Sequence, residues 1–165
     1  MASKSFKCIA DAYPWIAAPF IASAPMRVMS GPKLAIAASR AGGLGFIGPG
    51  VKPDDTLVDL KNAQNLISEK PLTTSSTFLQ KKLLPIGVGF QLWNGDLKSA
   101  TTAVRQYRPC AVWLFAPREH QEELDRWTDS IREASAHTQI WIQVGTLREA
   151  IDAANSASAP DVLVI

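Results

Sequence analysis

The sequence predicts an α/β fold in which strands and helices alternate strictly along one domain. Six short apolar runs, each bounded by glycine, proline or polar residues, are typical of strands buried on both faces. Five intervening segments place apolar residues at helical spacing. The 165 residues, 47% of them hydrophobic, suffice for one domain with a substantial core. Strict alternation implies a parallel sheet, which is either an open doubly wound sheet or part of a (β/α)₈ barrel, and topology alone leaves both open.

The first two predicted strands flank a short helix. The stretch 15–24 is apolar almost throughout and predicts the first strand, which starts near Phe20 after a proline. Ser30 stands just before a Gly-Pro pair, so we expect it to cap a helix that runs to about Arg40. A double glycine ends this helix and leads into a second strand at 44–47.

The remaining elements follow the same alternation. An aspartate pair at 54–55 suits the positive end of a helix, and Asp96 is placed to cap the next one. A polar stretch at 71–77 predicts a loop. The other strands are expected at 85–93, 110–115, 139–144 and 161–165, and the other helices at 54–67, 96–107, 117–136 and 147–154.

Composition and charge argue against several kinds of partner and compartment. The formal net charge is +2 without a block of like charge, so neither nucleic acid nor an anionic membrane surface is an expected partner. No apolar run reaches the roughly 20 residues that span a bilayer. Prolines and an aspartate interrupt the apolar N-terminal stretch, unlike a signal peptide. Cys8 and Cys110 lie far apart, and we interpret them as free thiols in the reducing cytoplasm.

The carboxyl ends of the predicted strands, where both architectures bind ligands, carry neutral amides among glycines and aromatic residues. They hold no acidic pair and no Cys/His cluster, which argues against metal-dependent hydrolysis, glycoside hydrolysis and an activated nucleophile. Gln91 and Gln143 would suit a planar heteroaromatic ligand, because an amide both donates and accepts hydrogen bonds. Alternatively, both are interior residues satisfied by protein neighbours. His120 and His137 are expected to have no catalytic role.

Several motifs resemble one enzyme family. The stretch APM at 24–26, followed by SGPKLAIAASRAGGLGFIG at 30–48, resembles the N-terminal signature of nitronate monooxygenases, formerly called 2-nitropropane dioxygenases. PIGVGFQLW, WLFAPRE, IWIQVGTLREAIDAA and DVLVI are similar to later segments of that family, in the same order, so the resemblance covers the chain from about Pro14. It implies a (β/α)₈ barrel that binds FMN without a metal. It further implies oxidation of small alkyl nitronates, such as propionate-3-nitronate, by O₂.

The resemblance also assigns residues to the flavin. Ala24, Pro25 and Met26 would line the isoalloxazine ring, partly through backbone groups. Gln91 matches a position where many relatives have an asparagine near the flavin, and Gln143 matches the family's glutamine in the QVGT segment. Gln143 would contact the ring or the ribityl chain. The protein's tasks in such an enzyme are to position the flavin and to polarise it.

In that family the catalytic histidine lies in an AGGH-type segment after the sixth strand, and this sequence ends at Ile165 before such a segment. We therefore expect a lead-in at 1–14 and an incomplete FMN-binding barrel at 15–165, truncated and without the catalytic base. The phosphate-binding loops that follow strands seven and eight in this class of barrel are also missing, so FMN binding should be weak.

A partial barrel would leave two strand edges unpaired, and these edges would permit self-association.

Two other functions stay open beside nitronate oxidation. The chain would be a non-catalytic flavin-binding remnant, or a relative of the FMN-dependent enoyl reductases, which share the barrel and the early motifs.

Overall fold

The computed structural model describes residues 9–72 and 74–165 and contains one six-stranded parallel sheet. Cys8 and most of the predicted lead-in lie outside the described residues. The strands are β1 (Ala22–Ser23), β2 (Leu44–Ile47), β3 (Leu84–Gln91), β4 (Pro109–Phe115), β5 (Gln139–Gln143) and β6 (Val162–Val164). The helices are α1 (Ile9–Ala12), α2 (Pro32–Arg40), α3 (Asp55–Glu69), α4 (Ser76–Gln80), α5 (Leu97–Tyr107), α6 (His120–Ala134) and α7 (Leu147–Asn155).

The order of the strands decides between the two architectures. Each strand pairs with the next one in sequence, from β1 to β6, and every pair is parallel. A doubly wound sheet reverses its strand order at a switch point, whereas a barrel adds strands in one direction. The predicted partial (β/α)₈ barrel with about six strands is therefore confirmed.

The two faces of the sheet bury different side chains. One face, which includes Ile86, Val88 and Ile140, packs against the long helices. The other is the inner face of the partial barrel, which we call the lumen face. It carries a cluster of packed aromatic rings, the lumen cluster, made of Tyr13, Phe46, Trp113 and Trp141. Tyr13 comes from the segment just after α1, so residues near the end of the lead-in fill the barrel interior.

The start of α2 corrects one sequence expectation. Gly31 is the N-cap residue of α2, and no side chain caps this helix. Ser30 was expected to do so, but its hydroxyl bonds instead to the backbone of Met26. The other end of α2 agrees with the sequence, since Gly42 has a φ of +89° in the left-handed region that glycine favours.

Several other boundaries also differ from the sequence expectations. Strand β3 ends at Gln91, and a 3₁₀ turn at Leu92–Asn94 replaces its expected last residues. Helix α4 begins within the stretch that was expected to be a loop, and its N-cap Ser75 accepts a bond from the backbone of Phe78. Helix α6 starts three residues later than expected, because Glu123 accepts the two preceding backbone N–H groups in a turn.

Within the described part of the chain, no helix is both long and apolar enough to cross a membrane.

Candidate functional site

Four side chains form a row across the lumen face at the carboxyl ends of neighbouring strands. Gln91 pairs in register with Phe115, and Gln143 pairs with Val164. The last register pair of β4 and β5 is Leu114 with Ile142, so the next residues, Phe115 and Gln143, lie side by side. The two predicted glutamines therefore lie on the same face and at the same level, on β3 and β5, with the ring of Phe115 between them. In a barrel this rim is the ligand-binding end.

Gln143 presents a defined end of its amide. Its Oε1 accepts a hydrogen bond of 3.1 Å from the indole Nε1 of Trp113, which is a donor only. The carboxamide oxygen is thereby engaged, and the side chain itself is exposed at the rim. The amide Nε2 has no protein partner among the described residues and remains able to donate two hydrogen bonds.

Gln91 differs from Gln143 in that its amide oxygen has no partner among the described residues. Its Oε1 is fully buried and has no hydrogen-bond partner among the described residues. A buried acceptor without a partner costs about 1–3 kcal/mol, so such atoms are rare and call for a donor. The explanation that protein neighbours satisfy both glutamines thus holds for the oxygen of Gln143 and does not account for that of Gln91.

Beside Gln91, a cavity of about 30 Å³ is lined by Phe90 and Asn94 among others. This volume suits a water molecule rather than an organic ligand. The space available to a larger ligand is the open concave lumen face.

The loop after β1 lies against this row. Pro25 is buried, and a Cβ built on Gly89 would lie 2.2 Å from the Cβ of Pro25. The same point lies 3.6 Å from the ring of Phe115. Gly89 is two residues before Gln91 on the lumen face, so the absence of a side chain there lets Pro25 pack directly onto β3. Phe115, which is partly exposed, provides an apolar surface beside the two amides, and the buried Pro25 packs next to it at Gly89.

The backbone of Met26 is occupied within the loop. Its N–H donates to the carbonyl of Ala24 at 2.9 Å and to Oγ of Ser30 at 2.8 Å. Its carbonyl accepts from the backbone N–H groups of Met29 and Ser30 and from the Ser30 hydroxyl. What Met26 can offer a ligand is its side chain, since the residue is 47% exposed. Ala24 is exposed as well.

These groups suit one kind of ligand. A buried acceptor, an exposed double donor and an apolar surface match a planar heteroaromatic ring that carries both an N–H group and a carbonyl oxygen. The isoalloxazine ring of FMN has this pattern, so the residues present fit the flavin ring.

The described residues hold no group of three or more His, Cys, Asp or Glu side chains that would bind a metal ion. His120 is the exposed first residue of α6, and His137 is an exposed residue beyond its end. Burial raises the pKa of the Cys110 thiol well above its usual value, so this free cysteine is not an activated nucleophile.

Sequence reasoning missed two residues that shape the site. Trp113 orients Gln143, and Ser30 holds Met26. The period-2 alternation of β4 places Trp113 on the same face as Phe115, which is the signal that would have found it. The sequence gives no signal for the contact of Ser30 with Met26, because a serine before Gly-Pro is also typical of an ordinary helix cap.

Comparisons with known proteins agree with this architecture. The chain is 55% identical over 159 residues to nitronate monooxygenase npaC from Metarhizium robertsii, which covers 96% of this chain and 44% of that protein. The predicted resemblance to nitronate monooxygenases is thereby confirmed, and the chain spans less than half the length of this curated relative. No family model matches the sequence.

Solved structures show the same fold. FabK from Thermotoga maritima superposes with a TM-score of 0.64 at 22% identity, over 94% of this chain and 42% of that one. A single-residue mutant of the same protein gives a TM-score of 0.64 at 20% identity, over 94% and 44% of the two chains.

Proposed function

We propose that this chain, which is related to the nitronate monooxygenases along nearly its whole length, forms the flavin-binding wall of an FMN-dependent enzyme that oxidises alkyl nitronates with O₂. The observation that carries the proposal is the complementary amide pair. Gln91 holds a buried acceptor without a partner, and Gln143 holds a free donor at the same rim. The sequence relation then selects the flavin and the nitronate from among the heteroaromatic ligands and substrates that such a pair would serve.

Each residue has a separate task in this proposal. Gln143 would donate a hydrogen bond to a ring carbonyl of the flavin, and Gln91 would accept one from a ring N–H, so both would orient and polarise the ring. Pro25, Phe115 and the side chain of Met26 would exclude water from one side of the ring. Bound FMN would supply the electron acceptor for the nitronate and pass the electrons to O₂.

The proton transfer is assigned to none of the described residues. His120 is the exposed first residue of α6, and His137 is an exposed residue beyond its end, so neither is given a role in the proposal. The relative is more than twice as long as this chain, and what we propose for the described residues is the binding of flavin and nitronate. We place the protein in the cytoplasm, on the support of the free, buried Cys110.

Flavin titration tests the proposal directly. Quenching of flavin fluorescence by the purified chain is measured with FMN and with riboflavin, which lacks the phosphate. Since Gln91 and Gln143 would contact only the flavin ring and not the phosphate, we expect FMN and riboflavin to bind weakly and with similar affinity. The variants Gln91→Leu and Gln143→Leu should each weaken binding, whereas Gln64→Leu, at an exposed position of α3, should not. Flavin binding that is absent, or unchanged in both site variants, would contradict the proposal.

A second titration distinguishes the substrate class. Propionate-3-nitronate or an enoyl thioester is added to the flavin-loaded chain, and the absorption spectrum of the bound flavin is recorded. A nitronate enzyme should show a saturable spectral change with the nitronate and none with the thioester. The reverse result would support the enoyl reductase alternative instead.

A further inference from the structure

Ser30 is buried and makes two hydrogen bonds to one residue. It is only 2% exposed, at the end of the loop that joins β1 to α2. Its Oγ accepts a hydrogen bond from the backbone N–H of Met26 at 2.8 Å and donates one to the backbone carbonyl of Met26 at 3.1 Å. One hydroxyl thus holds both polar groups of a single residue. It makes no capping bond to α2, so its bonding capacity is directed at Met26.

The carboxyl end of β2 supports this arrangement from the other side. A Cβ on Gly48 would lie 2.0 Å from the carbonyl oxygen of Met26 and 2.8 Å from Oγ of Ser30, a space that no side chain can share. The backbone N–H of Gly48 donates to the carbonyl of Ser30 at 2.8 Å. The loop is therefore seated on β2 through Gly48 and closed on itself through Ser30.

The same network leaves one part of Met26 free. Its backbone groups are engaged, whereas the residue is 47% exposed. Its neighbour Pro25 is packed onto the lumen face at Gly89. A methionine side chain is flexible and makes favourable contacts between its sulfur and aromatic rings. Fixing the backbone of Met26 limits where its flexible side chain can reach. This restriction has a function only if the Met26 side chain contacts another group.

We infer that Ser30 is a positioning residue, which acts through the backbone of Met26 to hold the Met26 side chain against the flavin ring. The inference rests on the proposed function, because it takes the ring as the group that Met26 contacts. Gly48 is part of the same arrangement, since a side chain at this position would occupy the space of the Met26 carbonyl.

The test compares two buried serines of neighbouring sequence. Ser39 is 1% exposed on α2, and its Oγ accepts a bond of 3.1 Å from the backbone N–H of Gly45 on β2. Ser30→Ala and Ser39→Ala each remove a buried hydroxyl that bonds to backbone, so both should lower the melting temperature. Only Ser30→Ala should raise the FMN dissociation constant, by about tenfold for two lost hydrogen bonds, and shift the absorption spectrum of the bound flavin. Ser39→Ala should leave both flavin readouts unchanged.

A double-mutant cycle shows whether the effect passes through Met26. If it does, Ser30→Ala should change FMN binding little in a chain that already carries Met26→Ala, because the group being positioned is gone. If Ser30→Ala does not fold, Ser30→Cys takes its place, since a thiol keeps the size but bonds only weakly.

The outcomes separate the two claims. In one outcome, the wild-type chain binds FMN and the Ser30 variant has the same dissociation constant and the same flavin spectrum. That result would overturn the positioning role and leave the proposed function standing. Equal losses in the Ser30 and Ser39 variants would also overturn it, since that pattern reports stability alone. Failure of the wild-type chain to bind FMN would overturn both.

Discussion

The indole N–H of Trp113 donates to Oε1 of Gln143 across β4 and β5, over a distance of 3.1 Å. Because an indole can only donate, this bond determines which end of the amide is engaged and which end is free. An aromatic residue of the barrel interior therefore controls the chemistry that a rim residue offers to a ligand. The lumen cluster and the candidate site are physically one unit.

Two substitutions at Gln143 should separate its two bonds. Gln143→Glu keeps an oxygen for Trp113 but removes the amide donor and adds a negative charge at an exposed position. We expect its free energy of unfolding to stay near the wild-type value while FMN binding is lost. Gln143→Leu removes both bonds and should also destabilise the fold by about 1 kcal/mol, because the Trp113 N–H loses its partner. Urea unfolding and flavin titration of the two variants give both quantities.

The two Gln143 variants serve as controls for each other. If Gln143→Glu lost as much stability as Gln143→Leu, the bond from Trp113 would have no orienting value. If Gln143→Glu retained FMN affinity, the free amide donor would have no role in binding.

Gln91→Leu should stabilise the chain while it weakens flavin binding. The substitution replaces a buried acceptor that has no protein partner with an apolar group of similar size, so the desolvation cost of that atom disappears. We expect a gain of about 1 kcal/mol in the free energy of unfolding without ligand, measured by urea denaturation. Flavin titration should show the opposite sign. A loss of stability would indicate that Oε1 is satisfied by water in the protein without ligand.

The fold could be predicted from the sequence because each element is encoded locally. Apolar runs of strand length alternate with helical patterns, and residues such as Asp96 cap a helix as expected, with Oδ1 accepting from the backbone N–H of Ser99 at 2.7 Å. Closure into a barrel is not a local property. The same βα units can add to a sheet in one direction or in two, and the pairing order that decides between them appears only in the structure.

Sequence reasoning placed Gln91 and Gln143 at the ends of strands, but it did not predict the contacts around them. Gln91 and Gln143 follow strands, and parallel strands end at a common rim, so their proximity follows from the fold class. The contact of Trp113 with Gln143 depends on the register between two strands, which no single segment specifies. The bond of Ser30 to Met26 depends on the path of a loop, and the local pattern favoured a helix cap.

Gly89→Ala should disturb the loop after β1 directly. Its Cβ would lie 2.2 Å from the Cβ of Pro25, so the ring must move away from β3. We expect a destabilisation of about 1–3 kcal/mol from overpacking, together with weaker FMN binding. Gly31→Ala is the matched control, since a Cβ there meets nothing within 4 Å. This control should cost less than about 1 kcal/mol, as an N-cap effect, and should leave FMN affinity unchanged. Equal FMN affinity in the two variants would argue against Pro25 as part of the site.

Tyr13→Phe should destabilise the lumen cluster at neutral pH. The hydroxyl of Tyr13 accepts a buried hydrogen bond of 2.9 Å from the indole N–H of Trp141, and the variant leaves that donor without a partner. We expect a loss of about 1–3 kcal/mol in the free energy of unfolding and a change in tryptophan emission. Tyr107→Phe is the control, because its hydroxyl accepts from the adjacent Gln106 and has no contact with this cluster. An equal effect of the two variants on tryptophan emission would contradict the assignment.

The same residue should make stability depend on pH under alkaline conditions. Burial, with a smaller contribution from nearby Cys110, raises the pKa of Tyr13 well above its ordinary value. An unfolded tyrosine ionises at about pH 10, so above that pH the unfolded chain loses a proton that the folded chain keeps. The contribution of Tyr13 is therefore fully present below pH 10 or so, and stability should fall by up to about 1.4 kcal/mol per pH unit above it. Urea unfolding between about pH 9 and pH 11 should show a shallower decline for Tyr13→Phe than for the wild-type chain, and parallel declines would show that Tyr13 ionises in the folded state.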